Sequence, residues 1–234
     1  MFKPIFTILF VALLFCVGCE PPRVPTVAEL TNRIWEPSSD LGGWTSRFCL
    51  LDNGHVLVIG NNASGLSSWS MKAGDRGFEI LDTAGNTHRF DADFTASGEL
   101  KLHFGEPKSQ TAFTAAALGK LESGARYILE YVRDPINEKR PTEEVYIVFA
   151  DEDRVRGFAG VNNFFGTGAF IGETGLTISR IGSTRRAGQH MEFENRFLAM
   201  LQNKVNTFLV FNNMLYMYDE TELTMLMRYE NVTL

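Results

Sequence analysis

Val155-Arg-Gly-Phe-Ala-Gly-Val-Asn-Asn-Phe-Phe-Gly-Thr-Gly-Ala-Phe170 is the stretch whose reading decides the fold. It alternates, turns at Asn162-Asn163 and alternates again, with glycine at 157, 160, 166 and 168. Short apolar runs punctuated by Gly and Asn are the pattern of a β-hairpin packed on a core. Adjacent Phe164 and Phe165 fall on opposite faces of such a strand, so one is expected inside and the other outside.

Downstream, a strand is expected at 175–181. The period then changes: Phe193, Phe197, Met200 and Leu201 recur at the spacing of an amphipathic helix. Glu192 and Arg196, four apart with the acid first, add slight support. Strands resume at 207–211, 215–218 and 223–229 around an Asn212-Asn213 turn. Upstream, 126–132 and 144–149 complete this unit, which begins near residue 121. Before it, apolar runs at 45–51, 56–59, 68–72, 78–81, 88–94, 100–104 and 111–116 are separated by turn signals such as Asp52-Asn53-Gly54. The expectation is a mainly β (α+β) protein of two small antiparallel units. Residues 30–118 form a meander or partial barrel, and 121–234 a second unit with one packed helix. The units echo each other: Arg33-Ile-Trp35 answers Arg126-Tyr-Ile128, and residues 50–62 answer 149–163.

The chain opens Met1-Phe-Lys3-Pro and runs apolar from Ile5 to Phe15, too short to span a bilayer but suited to export. It ends Cys16-Val17-Gly18-Cys19, a pattern similar to the lipobox of bacterial lipoproteins, although the usual Leu three places before the cysteine is missing. Residues 1–18 are then a signal peptide, and Cys19 carries acyl chains that hold the protein on a membrane. Glu20, in place of Asp, favours the outer membrane facing the periplasm. Residues 19–29, with Pro21, Pro22 and Pro25, read as an extended tether. With residues 1–18 removed and Cys19 acylated, Cys49 is the only thiol left; with no partner to bridge, it is expected to be a buried, inert thiol.

A net charge of −6 argues against nucleic acid as a partner. His55, His88, His103 and His190 have no ligand-spaced neighbours, so no metal and no cofactor is expected. No Gly-x-Ser-x-Gly elbow occurs. Gly166-Thr-Gly168 leads into a strand rather than a helix, so its glycines serve close strand approach, not phosphate binding. Arg180, Arg185 and Arg186 form the one basic cluster. Asn162, Asn163, Thr184, Arg185 and Arg186 are named as the candidate contact patch, with an exposed Phe beside Arg185 as its apolar part.

The second unit resembles the META domain of HslJ-like, heat-shock-associated bacterial lipoproteins. The resemblance lies in residues 155–162 followed by Gly166, in Ser183-Thr184-Arg185, and in the Glu-rich helix with Phe197 and Leu201. It implies fold and compartment more than activity. The family usually has Gly-Cys-Asn where this chain has Gly160-Val161-Asn162, and often a second Cys where this chain has Gly188. If those cysteines pair in relatives, this chain has lost one bridge without stranding a thiol, and no redox role rests on that pair here. The first unit looks faintly like small lipocalin-like envelope domains. Together these readings imply a non-enzymatic envelope lipoprotein that supports stress tolerance through contacts with an envelope protein. The alternative is a carrier whose first meander closes into a cup for an apolar ligand.

Overall fold

The computed structural model describes residues 23–38, 46–59, 66–72, 75–82, 84–105, 109–133, 139–151, 153–220 and 222–231. Cys19, the signal segment 1–18 and the start of the tether lie outside the described residues. The remainder of the expected tether is not a free extended arm. Residues Val27–Leu30 form a single-turn helix, α1, and Arg23 bonds Phe94 in both directions, at 3.3 and 2.8 Å. The cause is local: the Glu29 carboxylate accepts the Thr26 N–H at 2.9 Å and faces the Arg23 guanidinium at 2.7 Å, while Leu30 is fully buried. Chiefly through Arg23, the Glu29 carboxyl is lowered to about 2.

Eight strands follow: β1 (Ile34–Pro37), β2 (Arg47–Leu50), β3 (Val56–Ile59), β4 (Leu66–Ser70), β5 (Gly77–Asp82), β6 (Thr87–Phe94), β7 (Leu100–Phe104) and β8 (Ser109–Ala116). They are ordered β3-β2-β1-β8-β7-β6-β5-β4, all antiparallel. A simple meander would leave its first and last strands as edges. Here β1 pairs with β8 over four residues, and the gap falls between β3 and β4. Even that gap is narrow: His55 bridges Ser68, and the Trp69 N–H donates to the Gly54 carbonyl at 2.8 Å.

Inside this curled sheet the aromatic side chains pack on one another. Phe48 meets Phe113 edge-on at 5.2 Å, and Phe78 stacks on Phe90 at 5.4 Å. Both indoles among the described residues are satisfied, Trp35 by the Leu30 carbonyl at 3.0 Å and Trp69 by that of Leu51 at 2.8 Å. The rings that suggested a ligand cup instead fill the described interior with side chains.

The second unit is a closed barrel of β9 (Arg126–Val132), β10 (Tyr146–Phe149), β11 (Arg154–Phe158), β12 (Asn163–Ile171), β13 (Gly175–Ser183), β14 (Thr207–Phe211), β15 (Met214–Asp219) and β16 (Glu222–Glu230), joined in chain order, with β16 pairing back onto β9. Between β13 and β14 the chain detours through α2 (Met191–Asn203). The two strands share one register pair, Gly175↔Thr207, and the helix supplies what the ladder lacks. Phe193, Phe197 and Leu201 are buried in the core, with Phe197 edge-on to Phe164 at 6.2 Å. Gly157 permits the closure, because a Cβ there would stand 2.0 Å from the Tyr146 carbonyl oxygen.

The two units therefore share one connectivity. The sequence echo falls on equivalent places in it: β1 against β9, and the β2–β3 hairpin against β10–β11. They differ where α2 replaces the short β5–β6 turn. They meet through a common apolar layer in which Ile34, Cys49, Leu51, Leu57 and Ile59 pack with Leu209, Phe211 and Tyr218. The Gly119 N–H donates to the Val210 carbonyl across the junction at 2.7 Å.

Cys49 sits in that layer with no exposed surface, and burial pushes its thiol up to about 12. It should therefore resist iodoacetamide near neutral pH and react once the chain is unfolded, as read by mass mapping of the peptide that contains it. Labelling at the native rate of an exposed cysteine would mean that the layer between the units opens.

Candidate functional site

The residues named from sequence as one patch prove to be two structures back to back. Asn162, in the β11–β12 turn, is 1% exposed. Its Oδ1 accepts the Thr184 hydroxyl and the Arg186 N–H, both at 2.8 Å. Its Nδ2 donates to Glu194 Oε1 at 2.8 Å and to the Arg186 carbonyl at 3.1 Å. Glu194, also 1% exposed, uses Oε2 to accept the N–H groups of Asn162 at 2.7 Å and Val161 at 3.2 Å. The carboxylate is thus enclosed by three donors, two of them main-chain. It ties the first turn of α2 to the β11–β12 turn, while Asn162 ties that turn to the strand leading into α2. A carboxylate and an amide so fully engaged form a latch, not a proton-transfer site. Asn162 is corrected accordingly from a contact residue to an internal one, whereas Thr184 is exposed and turns its hydroxyl onto Asn162.

Beside the latch, Gly160 adopts φ +105°, with Pro141 and Phe193 packed where a side chain would begin. Val161 and Gly188 face each other. A Cβ built on Gly188 lies 3.5 Å from the Val161 Cβ and 2.7 Å from its Cγ1. Valine fills the space that a side chain at 188 would otherwise share.

The outer side is different. Phe164 is 2% exposed and belongs to the core, whereas Phe165 is 62% exposed. On one side Phe165 pairs with Arg156 of β11. On the other it pairs with Gly182 of β13, whose missing side chain lets the ring lie across that strand. A bulge follows in β13, where Arg180 takes φ 53°. Arg185 and Arg186 come just after the strand, with Asn163 exposed at the start of β12.

Elsewhere on this unit the arginines are engaged. Arg126, Arg133, Arg154, Arg196 and Arg228 each reach a carboxylate, and Arg140 donates to the Leu129 and Glu130 carbonyls. Arg156, Arg180, Arg185 and Arg186 have no such partner among the described residues: Arg156 is the cross-strand neighbour of Phe165, Arg180 sits in the bulge two residues from Gly182, and Arg185 and Arg186 lie just past the end of β13. Sequence reading found three of them. Arg156 was missed because only the β11–β12 pairing brings it alongside. Glu194 was missed as well, although a carboxylate at the spacing of Phe197 and Leu201, on the apolar stripe, was a readable signal. Among the described residues, no group of three His, Cys, Asp or Glu side chains could hold a metal ion.

These features define a class: a mainly antiparallel protein of two eight-stranded units, the second closed as a barrel and plugged by a latched helix. That second unit is a META domain, since the family model for the META domain matches residues 120–231. Searches of curated proteins and of solved structures return no match to the chain.

Proposed function

We propose that this chain is a non-enzymatic lipoprotein of the bacterial cell envelope that supports stress tolerance by holding an acidic surface of another envelope protein. The anchor is Cys19, on the outer membrane and facing the periplasm. The observation that carries the reading is the exposed Phe165 ring with Arg156 opposite it, and Arg180, Arg185 and Arg186 on the neighbouring strand and just beyond its end, on a chain whose net charge is −6. Local positive charge against a negative whole steers an acidic partner to one face, and an exposed aromatic supplies the apolar contact. The leader and its lipobox-like end support the compartment.

The test is a photoreactive benzoylphenylalanine at 165 in the full chain, in cells, with Thr177 on the outer side of β13 as control. A discrete cross-linked species is expected from 165, absent from 177, and lost when Arg156, Arg185 and Arg186 are changed to Glu. Equal adducts from both positions, or adducts indifferent to the charge reversal, would sink the proposal. The anchor is checked separately: palmitate label should enter the wild-type chain and not Cys19→Ser.

A further inference from the structure

We infer that the cleft between the two units is a binding site for a small amphipathic carboxylate. That is the chemistry of an N-acylated apolar amino acid or of a peptide's C-terminal residue. The cleft has a volume of 690 Å³, the size range of small-molecule sites. One wall is the segment joining the units, where small side chains at 115–117 leave room and Leu118 and Leu121 add apolar surface. The facing wall is Phe170 and Phe208, ring to ring at 5.7 Å and 69°.

Its polar side is built by two consecutive residues, Asn32 and Arg33, between α1 and β1. The backbone there is fixed in an uncommon form. Asn32 takes the left-handed φ of 53°, and its N–H is held by the Leu50 carbonyl at 2.9 Å. Two atoms at this corner are buried without a partner: Asn32 Oδ1, an acceptor, and Arg33 Nε, a donor. Closed off as they are, neither atom is open to a ligand, and this corner acts on an occupant through the positive charge of Arg33 in the lining. Lys120 adds a second cation to the lining, and Glu173, its one acid, makes no ion pair with Arg33.

A carboxylate suits the Arg33 and Lys120 charges, and an apolar side chain suits the Phe170–Phe208 wall. The site shares no residue with the Phe165 face, so the two proposals stand or fall separately.

The test uses the full chain and saturation-transfer NMR with three probes: N-acetyl-L-phenylalanine, its C-terminal amide, and L-phenylalanine. The acetylated acid should bind saturably, and the amide about tenfold more weakly or worse, the loss of one good charged contact. Comparable binding of L-phenylalanine would identify free amino acids as the ligand class, with Glu173 taking the ammonium group. Exclusion of L-phenylalanine would identify acylated or peptide-linked ones. Arg33→Gln should abolish binding. Because that change sits beside β1, Ala117→Trp provides a second variant, filling the cleft from an exposed position with Arg33 intact. Equal binding of acid and amide, indifference to both substitutions in folded protein, or no binding of any probe at millimolar concentration would overturn the inference.

Discussion

Glu194→Ala should destabilise the META domain by about 3–5 kcal/mol, the cost of leaving three donors in an enclosed site without their acceptor. Three donors lose their acceptor at once: the N–H groups of Val161 and Asn162 and the Asn162 side-chain amide. Each is enclosed, so water does not simply replace the carboxylate. Asn162 still holds Thr184 and the Arg186 main chain, but nothing then fixes that assembly to α2. Glu194→Gln should be milder, at about 2 kcal/mol. It keeps the volume and one acceptor while turning an amide N–H toward two main-chain N–H groups.

The control is Glu192→Ala, two residues earlier on the same helix. Glu192 is exposed and pairs with Lys139 at 2.8 Å and Arg196 at 3.2 Å, and such surface pairs contribute about 0–1 kcal/mol. Urea unfolding followed by circular dichroism separates the cases. If Glu194→Ala costs no more than Glu192→Ala, the latch is not what holds the plug in the barrel. The unit's total stability is expected at about 5–15 kcal/mol, so the change removes a large share of it. The helix would then be the first element lost, because β13 and β14 have so little ladder of their own.

What was legible in the sequence was local. The strands at Val56–Ile59 and Thr207–Phe211 end where their apolar runs meet Asn or Asp turns, and the helix follows its 3.6-residue stripe. Alternation alone placed Phe164 and Phe165 on opposite faces. What was not legible depends on partners far along the chain. Pairing of β1 with β8 leaves no trace in either segment, since each simply reads as an extended run. Polarity was taken for exposure at Asn162, which is buried because Glu194, 32 residues on, satisfies it. The reverse error would have been as easy at the arginines. Ten occur in the second unit's sequence, and only the fold separates the six with partners from the four without one among the described residues. Likewise, aromatic richness is silent on whether rings line a cup or fill it. The 5.2–6.1 Å ring pairs of the first unit decide for filling.

The opposite change in stability is expected from Val161→Cys with Gly188→Cys. The Cβ–Cβ separation of 3.5 Å lies at the near edge of the range spanned by disulfides, and Gly188 has no left-handed φ that a side chain would strain. The bridge would close a loop from 161 to 188, for which chain entropy gives about 3.5 kcal/mol. Neither single change should gain anything. Gly188→Cys alone drives its Cβ to 2.7 Å from Val161 Cγ1, so the valine must shift, whereas Val161→Cys alone leaves part of that space empty. The pair is therefore non-additive: two mildly harmful substitutions combine into a stabilising one, and only when oxidised. Cys49, buried with its thiol pushed up to about 12, does not compete for the new cysteines. Peptide mapping should find the 161–188 bridge, and the urea midpoint should rise on oxidation and fall back with dithiothreitol. Residues 161 and 188 flank the latch at Asn162, so the bridge and the Glu194 carboxylate restrain the same junction. Glu194→Ala should accordingly cost less in the oxidised double-cysteine chain than in the wild type. Equal losses in the two backgrounds would show that the carboxylate and the bridge hold different parts of the barrel.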